Sequence, residues 1–211
     1  MRMFVYDLTH WTTFALASLA LTLAPGPDLA LIVAHTVNGG RRAGFAAMVG
    51  IWTGALGHVL LAAFGLSAVL AASATAFAIV KWAGAAYLVW IGIQAIRGAG
   101  GLAPAQVARA KPWRIFRQGL LTDLLNPKVA IFFLAFLPQF VEDGAGPAWA
   151  QLALHGVLII ATAALIEPPL VLLGDRLAAR LRGHARTARW LDRGLGGMLM
   201  GLGVKLALLE R

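Results

Sequence analysis

The chain has 211 residues, of which 60% are hydrophobic and only 13% charged, with a formal net charge of +9; its mean hydropathy is +0.77. A soluble domain of this size cannot hide that much apolar surface, so the composition excludes one and indicates an integral membrane protein. The absence of cysteine excludes disulfides, thiolate metal sites and thiol redox chemistry on the protein.

A bilayer core of about 30 Å takes about 20 apolar residues per helix. Six such runs are expected, making an all-α integral membrane protein with a single transmembrane domain over 1–211. Span 1 runs from about Trp11 to Ala34 and is interrupted by Pro25-Gly26-Pro27, with Asp28 directly after. Proline removes a backbone donor and clashes with the preceding turn, so a broken helix is expected there. Arg2 ahead of an apolar, Ala-rich stretch mimics a leader, but the run continues past Pro27 and reads as the first span instead. Span 2, about Gly44 to Leu70, carries Gly50, Gly54, Gly57 and His58. Glycines at this spacing let neighbouring helices approach closely.

Span 3 covers about Phe77 to Ile96 and holds Tyr87 and Gln94; the main loop, 97–117, follows. Span 4, about Gln118 to Phe140, contains Asp123 and a second interruption at Asn126-Pro127-Lys128. Span 5, about Trp149 to Leu173, carries Glu167-Pro168-Pro169 in its second half. The stretch from Asp175 to Arg193 reads as an amphipathic segment at the interface, and span 6, about Leu191 to Leu209, is glycine-rich. Lys81, Trp82, Trp113 and Trp149 lie near span ends and read as interface anchors.

The links after spans 1, 3 and 5 hold thirteen of the 18 Lys and Arg residues, and those after spans 2 and 4 hold none. The positive-inside rule makes the three basic links cytoplasmic and puts both termini outside the cytoplasm. This accounts for most of the positive charge through topology and lipid headgroups, with no nucleic-acid partner.

Spans 1 and 4 align at an offset of one hundred residues, pairing Pro27-Asp28-Leu29-Ala30-Leu31 with Pro127-Lys128-Val129-Ala130-Ile131. Three spans per half put the second half into the membrane from the opposite side. The expectation is two inverted three-helix repeats, about 11–96 and 118–209, with helices 1 and 4 broken. Paired interruptions of this kind indicate a transporter site near the midplane. Pro25, Gly26, Pro27, Asp28, Asn126, Pro127 and Lys128 are the candidate substrate-binding residues. Half-helix N-termini suit a carboxylate, whereas half-helix C-termini and Asp28 suit an ammonium group or a proton. Asp28 and Lys128 could also pair with each other, since burying either alone is costly.

Five further residues are candidates for a proton or solute path. Asp123 could extend the polar path or cap a half-helix. Glu167 could titrate, pair with a basic residue, or reach a loop carbonyl. His58 could relay protons or join two helices by a hydrogen bond. Tyr87 and Gln94 share a helix face and could line a cavity or bond a neighbouring helix. No metal site and no cofactor are expected.

Ala24-Pro25-Gly26-Pro27, the Gly39 to Gly50 stretch, Gly84-Ala85-Ala86-Tyr87-Leu88 with Ile91-Gly92, and Phe116-Arg117-Gln118-Gly119 leading into Asn126-Pro127-Lys128 resemble the LysE/RhtB family of amino-acid exporters. The resemblance covers nearly the whole chain. It implies a secondary exporter in the bacterial inner membrane that moves amino acids such as lysine, homoserine, threonine or leucine outward by proton exchange. It also implies that the two breaks lie on the transport pathway. Many members carry a small polar residue or Asn soon after the first break, where this chain has the apolar run Leu29 to Val33. The resemblance therefore does not name the amino acid.

Other readings have less support. A metal-cation exporter needs soft or imidazole ligand clusters, and neither cysteine nor close histidine pairs occur. An enzyme would show a catalytic motif, and a scaffold has no reason to keep Asp28 and Lys128 at membrane depth. Glycine faces on spans 2 and 6 suit either contacts within the chain or a homodimer interface.

Overall fold

The computed structural model describes residues 4–24, 26–66, 73–97 and 110–174, and single positions between 193 and 208. Every element among the described residues is helical. Asp7 starts α1 (Leu8–Leu23) by accepting the His10 N–H at 2.6 Å, which satisfies one of the donors left open at a helix start. Gly26 is the extended N-cap of α2 (Pro27–Gly39), and Pro27 opens it with a preset φ. The two helices are bent by 51°. Gly40, at φ +77°, ends α2 with its N–H on the Thr36 carbonyl and turns the chain directly into α3 (Arg41–Leu60).

α3 continues in wider π-helical turns over Leu61–Leu66, and α4 spans Ala74–Ile96. α5 begins at Pro112 and ends at Leu124, so the loop expected over 97–117 is already helical at its end. The signal was local: Lys111 is extended and Pro112 takes the first helical position, where its missing N–H costs nothing. After Asn126, α6 (Pro127–Ile131) starts and is bent 45° from α5. It runs on as π-helical Phe132–Phe136 and a 3-10 turn, Leu137–Phe140. The last long element, α7 (Ala148–Leu172), carries Pro168 and Pro169 inside it without a break.

Among the described residues, two elements, Arg41–Leu66 and Ala148–Leu172, are long and apolar enough to cross a membrane, and there are up to four such spans if each bent pair counts as one. The expected third span falls within α4. Most of the sixth, and the arginine-rich segment before it, lie outside the described residues. Large apolar side chains face outward along these helices, among them Leu16, Leu56, Phe64, Ile79 and Leu165. Water would penalise that surface, whereas a bilayer solvates it.

The most extensive helix contact joins α3 to α5, and glycine makes it possible. A Cβ on Gly50 would strike the Phe116 carbonyl, one on Gly119 the Ala47 carbonyl, and one on Gly54 would come 2.8 Å from Leu120 O. Backbone therefore meets backbone, the close approach that small residues give to membrane helices. The glycine face of span 2 is used inside the chain.

One buried cluster, rich in aromatics, joins Phe14, Phe132, Phe133, Phe136 and Phe140 with Leu152. A second joins Ile32, Met48, Ile51, Ile115 and Val171. The ends that carry the basic links meet at one side. There the Thr36 side chain packs on Gly44 and Gly174, and His35 Nε2 lies 3.2 Å from Gln118 Oε1.

Candidate functional site

Between the two clusters lies a cavity of about 50 Å³, bordered by Asp28, Trp52, Asp123, Lys128 and Glu167 together with apolar residues such as Phe133 and Ile159. That volume holds a few water molecules. The four ionisable side chains are all buried, at 2–7% exposure, and they come from α2, α5, α6 and α7.

The breaks place them by a simple backbone rule. A proline lacks the N–H that would bond the carbonyl four residues earlier, so Pro25 leaves the Leu21 carbonyl open, and Ala24 leaves the helix at ψ 127°. Lys128 Nζ takes both, donating to Leu21 O at 3.3 Å and to Ala24 O at 3.1 Å. The ammonium group thereby rests at the C-terminus of α1, where the helix dipole favours a cation. Its own backbone sits in the first turn of α6, where the dipole does not. Gly26 makes the route possible, since a Cβ there would lie 3.0 Å from Lys128 Nζ.

The second break obeys the same rule. Pro127 leaves the Asp123 carbonyl without its usual donor; Asn126 N takes it at 2.9 Å and His58 Nε2 at 3.1 Å. A carbonyl only accepts, so His58 carries its proton on Nε2. Asn126 then works in two directions. Its Oδ1 caps α6 by accepting Lys128 N–H at 3.0 Å, and its Nδ2 donates to Asp28 Oδ2 at 2.6 Å. One amide thus ties the start of α6 to the start of α2.

Asp28 and Lys128 face the same cavity but make no direct ion pair. Asn126 and the α1 carbonyls occupy the positions that pairing would need. Among the described residues Glu167 meets neither a basic side chain nor a loop carbonyl; its Oε2 accepts the Trp52 indole N–H at 2.7 Å. Among the described residues, Asp28 Oδ1 and Asp123 Oδ2 are buried without a hydrogen-bond partner, and His58 Nε2 approaches the latter at 3.8 Å. Three carboxyl groups and one amino group thus border a single cavity.

Of the residues singled out in the sequence, Gly26, Pro27, Asp28, Asn126, Pro127, Lys128, Asp123, Glu167 and His58 therefore converge. Pro25 lies outside the described residues. Tyr87 and Gln94 sit half-buried on α4, away from the cavity lining, and the Tyr87 ring lies 5.5 Å from that of Trp90. Trp52 was missed. Its indole donor within an apolar span was the available signal, because a buried Trp N–H usually needs a partner. The Leu21 carbonyl could have been named from the proline rule alone, but not its partner.

These helices, with a buried polar cavity where two of them break, define a membrane protein of the solute-translocating class. The model of the LysE type translocator family matches residues 19–210, and the chain belongs to that family. It is 33% identical to a homoserine/homoserine lactone efflux protein of Salmonella typhi, over 93% of this chain and 95% of the relative. It is 31% identical to a threonine efflux protein of Escherichia coli K12, over 94% and 98% of the respective chains. An uncharacterized membrane protein of Pseudomonas aeruginosa shares 34% identity, with 95% of each chain covered. No solved structure matches.

Proposed function

We propose that this protein is a secondary transporter that exports amino acids or close derivatives across the bacterial inner membrane by proton antiport, with its site at the breaks of α1/α2 and α5/α6. The observation that carries this reading is the joint set of Asp28, Asn126 and Lys128 around one buried cavity. It offers both halves of an amino acid a partner. The ammonium group of the solute takes Asp28, while its carboxylate takes Lys128 and the open N–H groups at the start of α2.

The cavity as it stands is too small for an amino acid, so the helices part when one binds. The two unused carboxylate oxygens, on Asp28 and Asp123, supply the proton's place when the solute has left. In this reading the basic links face the cytoplasm and the opposite ends of the helices face outward, as the positive-inside rule requires. The two halves form inverted repeats, and the likeness of the two proline breaks supports that arrangement.

The test is efflux from proteoliposomes, with and without an imposed pH gradient. Threonine, homoserine and homoserine lactone come first, because relatives are named for them. Counterflow of one of these, accelerated by the gradient, is expected. A folded protein that moves no amino acid under either condition would overturn the reading.

A further inference from the structure

Far from the central cavity, at the ends of α1 and α7 opposite the basic links, three titratable side chains form an unbroken hydrogen-bonded chain. Glu142 Oε1 lies 2.7 Å from His10 Nδ1, His10 Nε2 lies 2.8 Å from His155 Nε2, and His155 Nδ1 lies 2.8 Å from the Gln151 carbonyl. Such contacts restrict where hydrogens can sit. The Gln151 carbonyl only accepts, so His155 carries a hydrogen on Nδ1. If both rings are neutral and Glu142 is ionised, two hydrogens remain for three contacts. One contact must then place lone pair against lone pair, either between the rings or between His10 and the carboxylate. A single additional proton, on either ring or on Glu142, satisfies all three.

We propose that Glu142, His10 and His155 form a second proton-binding site, separate from the central cavity, that holds one proton and uses it to tie the start of α1 to α7 and to the turn between α6 and α7. The proton enters from the Glu142 end. That side chain is 45% exposed, whereas His155 is 1% exposed and lies among the Trp11, Phe14 and Phe140 rings.

Among the described residues, the other titratable groups facing the site are Tyr6 and Asp7, both ahead of α1. Tyr6 stacks on His10 at 4.1 Å and donates to Gln151 Oε1 at 2.9 Å. Burial, and secondly the charge of Glu142, raise its hydroxyl to about 12, so it stays neutral. Asp7 is engaged by the His10 backbone N–H. The turn is held independently of the proton, because the Gln151 side chain donates to Glu142 O and Gly146 O and accepts from Glu142 N. Loss of the proton therefore releases side chains without unfolding the turn.

Glu142→Gln is the decisive variant. An amide N–H at position 142 donates to His10 Nδ1, His10 Nε2–H donates to His155, and His155 Nδ1–H donates to Gln151. Every contact is then satisfied with neutral rings and no extra proton. The measurement is ring 15N spectra of the full-length protein, labelled on histidine, through a pH series, with the signals assigned from His10→Phe and His155→Phe. It needs neither substrate nor vesicles, so it stands apart from the transport reading.

In the wild type, a coupling across the His10–His155 N–H···N bond is expected in the protonated form; it disappears as one proton per chain is lost, because the ionised carboxylate then keeps the remaining His10 hydrogen on Nδ1 and leaves the two Nε2 lone pairs opposed. In Glu142→Gln the same coupling is expected to persist throughout the series, with no proton released. Two rings that titrate independently of each other, or a Glu142→Gln protein that titrates as the wild type does, would overturn the site.

Discussion

The two helix breaks share a design and differ in what completes it. At both, a proline strips the donor from a carbonyl four residues back, and a side chain from another helix takes that carbonyl. At the first break the donor is Lys128, a buried ammonium group that also bonds Ala24. At the second it is His58, which bonds the Asp123 carbonyl and thereby joins α3 to α5. The caps differ as well: Gly26 gives α2 no side-chain cap, whereas Asn126 caps α6 and reaches Asp28. The second break is closed largely by its own residues. The first depends on a charge supplied from α6.

If that asymmetry is right, the largest effect follows from emptying the first break. Lys128→Ala leaves the Leu21 and Ala24 carbonyls without their donor and strands three buried carboxylates, a loss of about 3 kcal/mol or more by analogy with broken buried pairs. Efflux is expected to fall below detection. Asp28→Asn should also abolish efflux while the protein still inserts and purifies, because the amide retains a contact to Asn126. Normal efflux by both variants would show that the breaks are not the site. A charge-swapped Asp28→Lys, Lys128→Asp protein is not expected to recover, since the native groups work through Asn126 and the α1 carbonyls.

Asn126→Gly makes the second break resemble the first by removing its cap and its bond to Asp28. Glycine replaces a helix cap at a cost of only a few tenths of a kcal/mol. The lost hydrogen bond to a buried carboxylate adds about 1.5–3 kcal/mol. Thermal unfolding in detergent should show this drop. A Tm equal to wild type would mean that Asn126 does not hold the two half-helices together.

Much of this architecture was legible in the sequence, and the limit has a physical cause. Prolines and glycines act on their own backbone, so both breaks, the helix starts at Pro27 and Pro127, and the close approach at Gly50 and Gly54 could be read along the chain. Pro112 carried the same kind of signal, which a loop reading of 97–117 overlooked. Partners are another matter. Lys128 meets Leu21 across 107 residues, and His10 meets His155 across 145; no local rule says which donor fills a vacant acceptor. Opposite charges at matching positions suggested a direct Asp28–Lys128 pair. The actual solution gives each charge a polar partner that is not a charge, which composition cannot reveal.

A smaller change probes the path by which Lys128 crosses into the first break. Gly26→Ala places a Cβ 3.0 Å from Nζ, and the obstructed atom is the end of a flexible side chain. Only a slight stability loss is expected, because Gly26 has extended backbone that alanine adopts readily. Efflux should nevertheless fall, by about tenfold for each 1.4 kcal/mol of lost alignment. A variant that loses fold and transport together would show that Gly26 serves packing alone.

The smallest effect is expected at His58, and it separates two roles for that ring. Glutamine can supply one N–H to the Asp123 carbonyl, so His58→Gln keeps the hydrogen bond that replaces the one Pro127 removed. Phenylalanine keeps the ring's bulk near Phe133, 5.8 Å away, but leaves the carbonyl short of a donor, at a cost of about 1 kcal/mol. If His58 only completes the second break, His58→Gln should transport at the wild-type rate with its pH dependence intact, and His58→Phe should be mildly destabilised. If His58→Gln instead keeps its stability but loses acceleration by a pH gradient, the ring exchanges protons with Asp123.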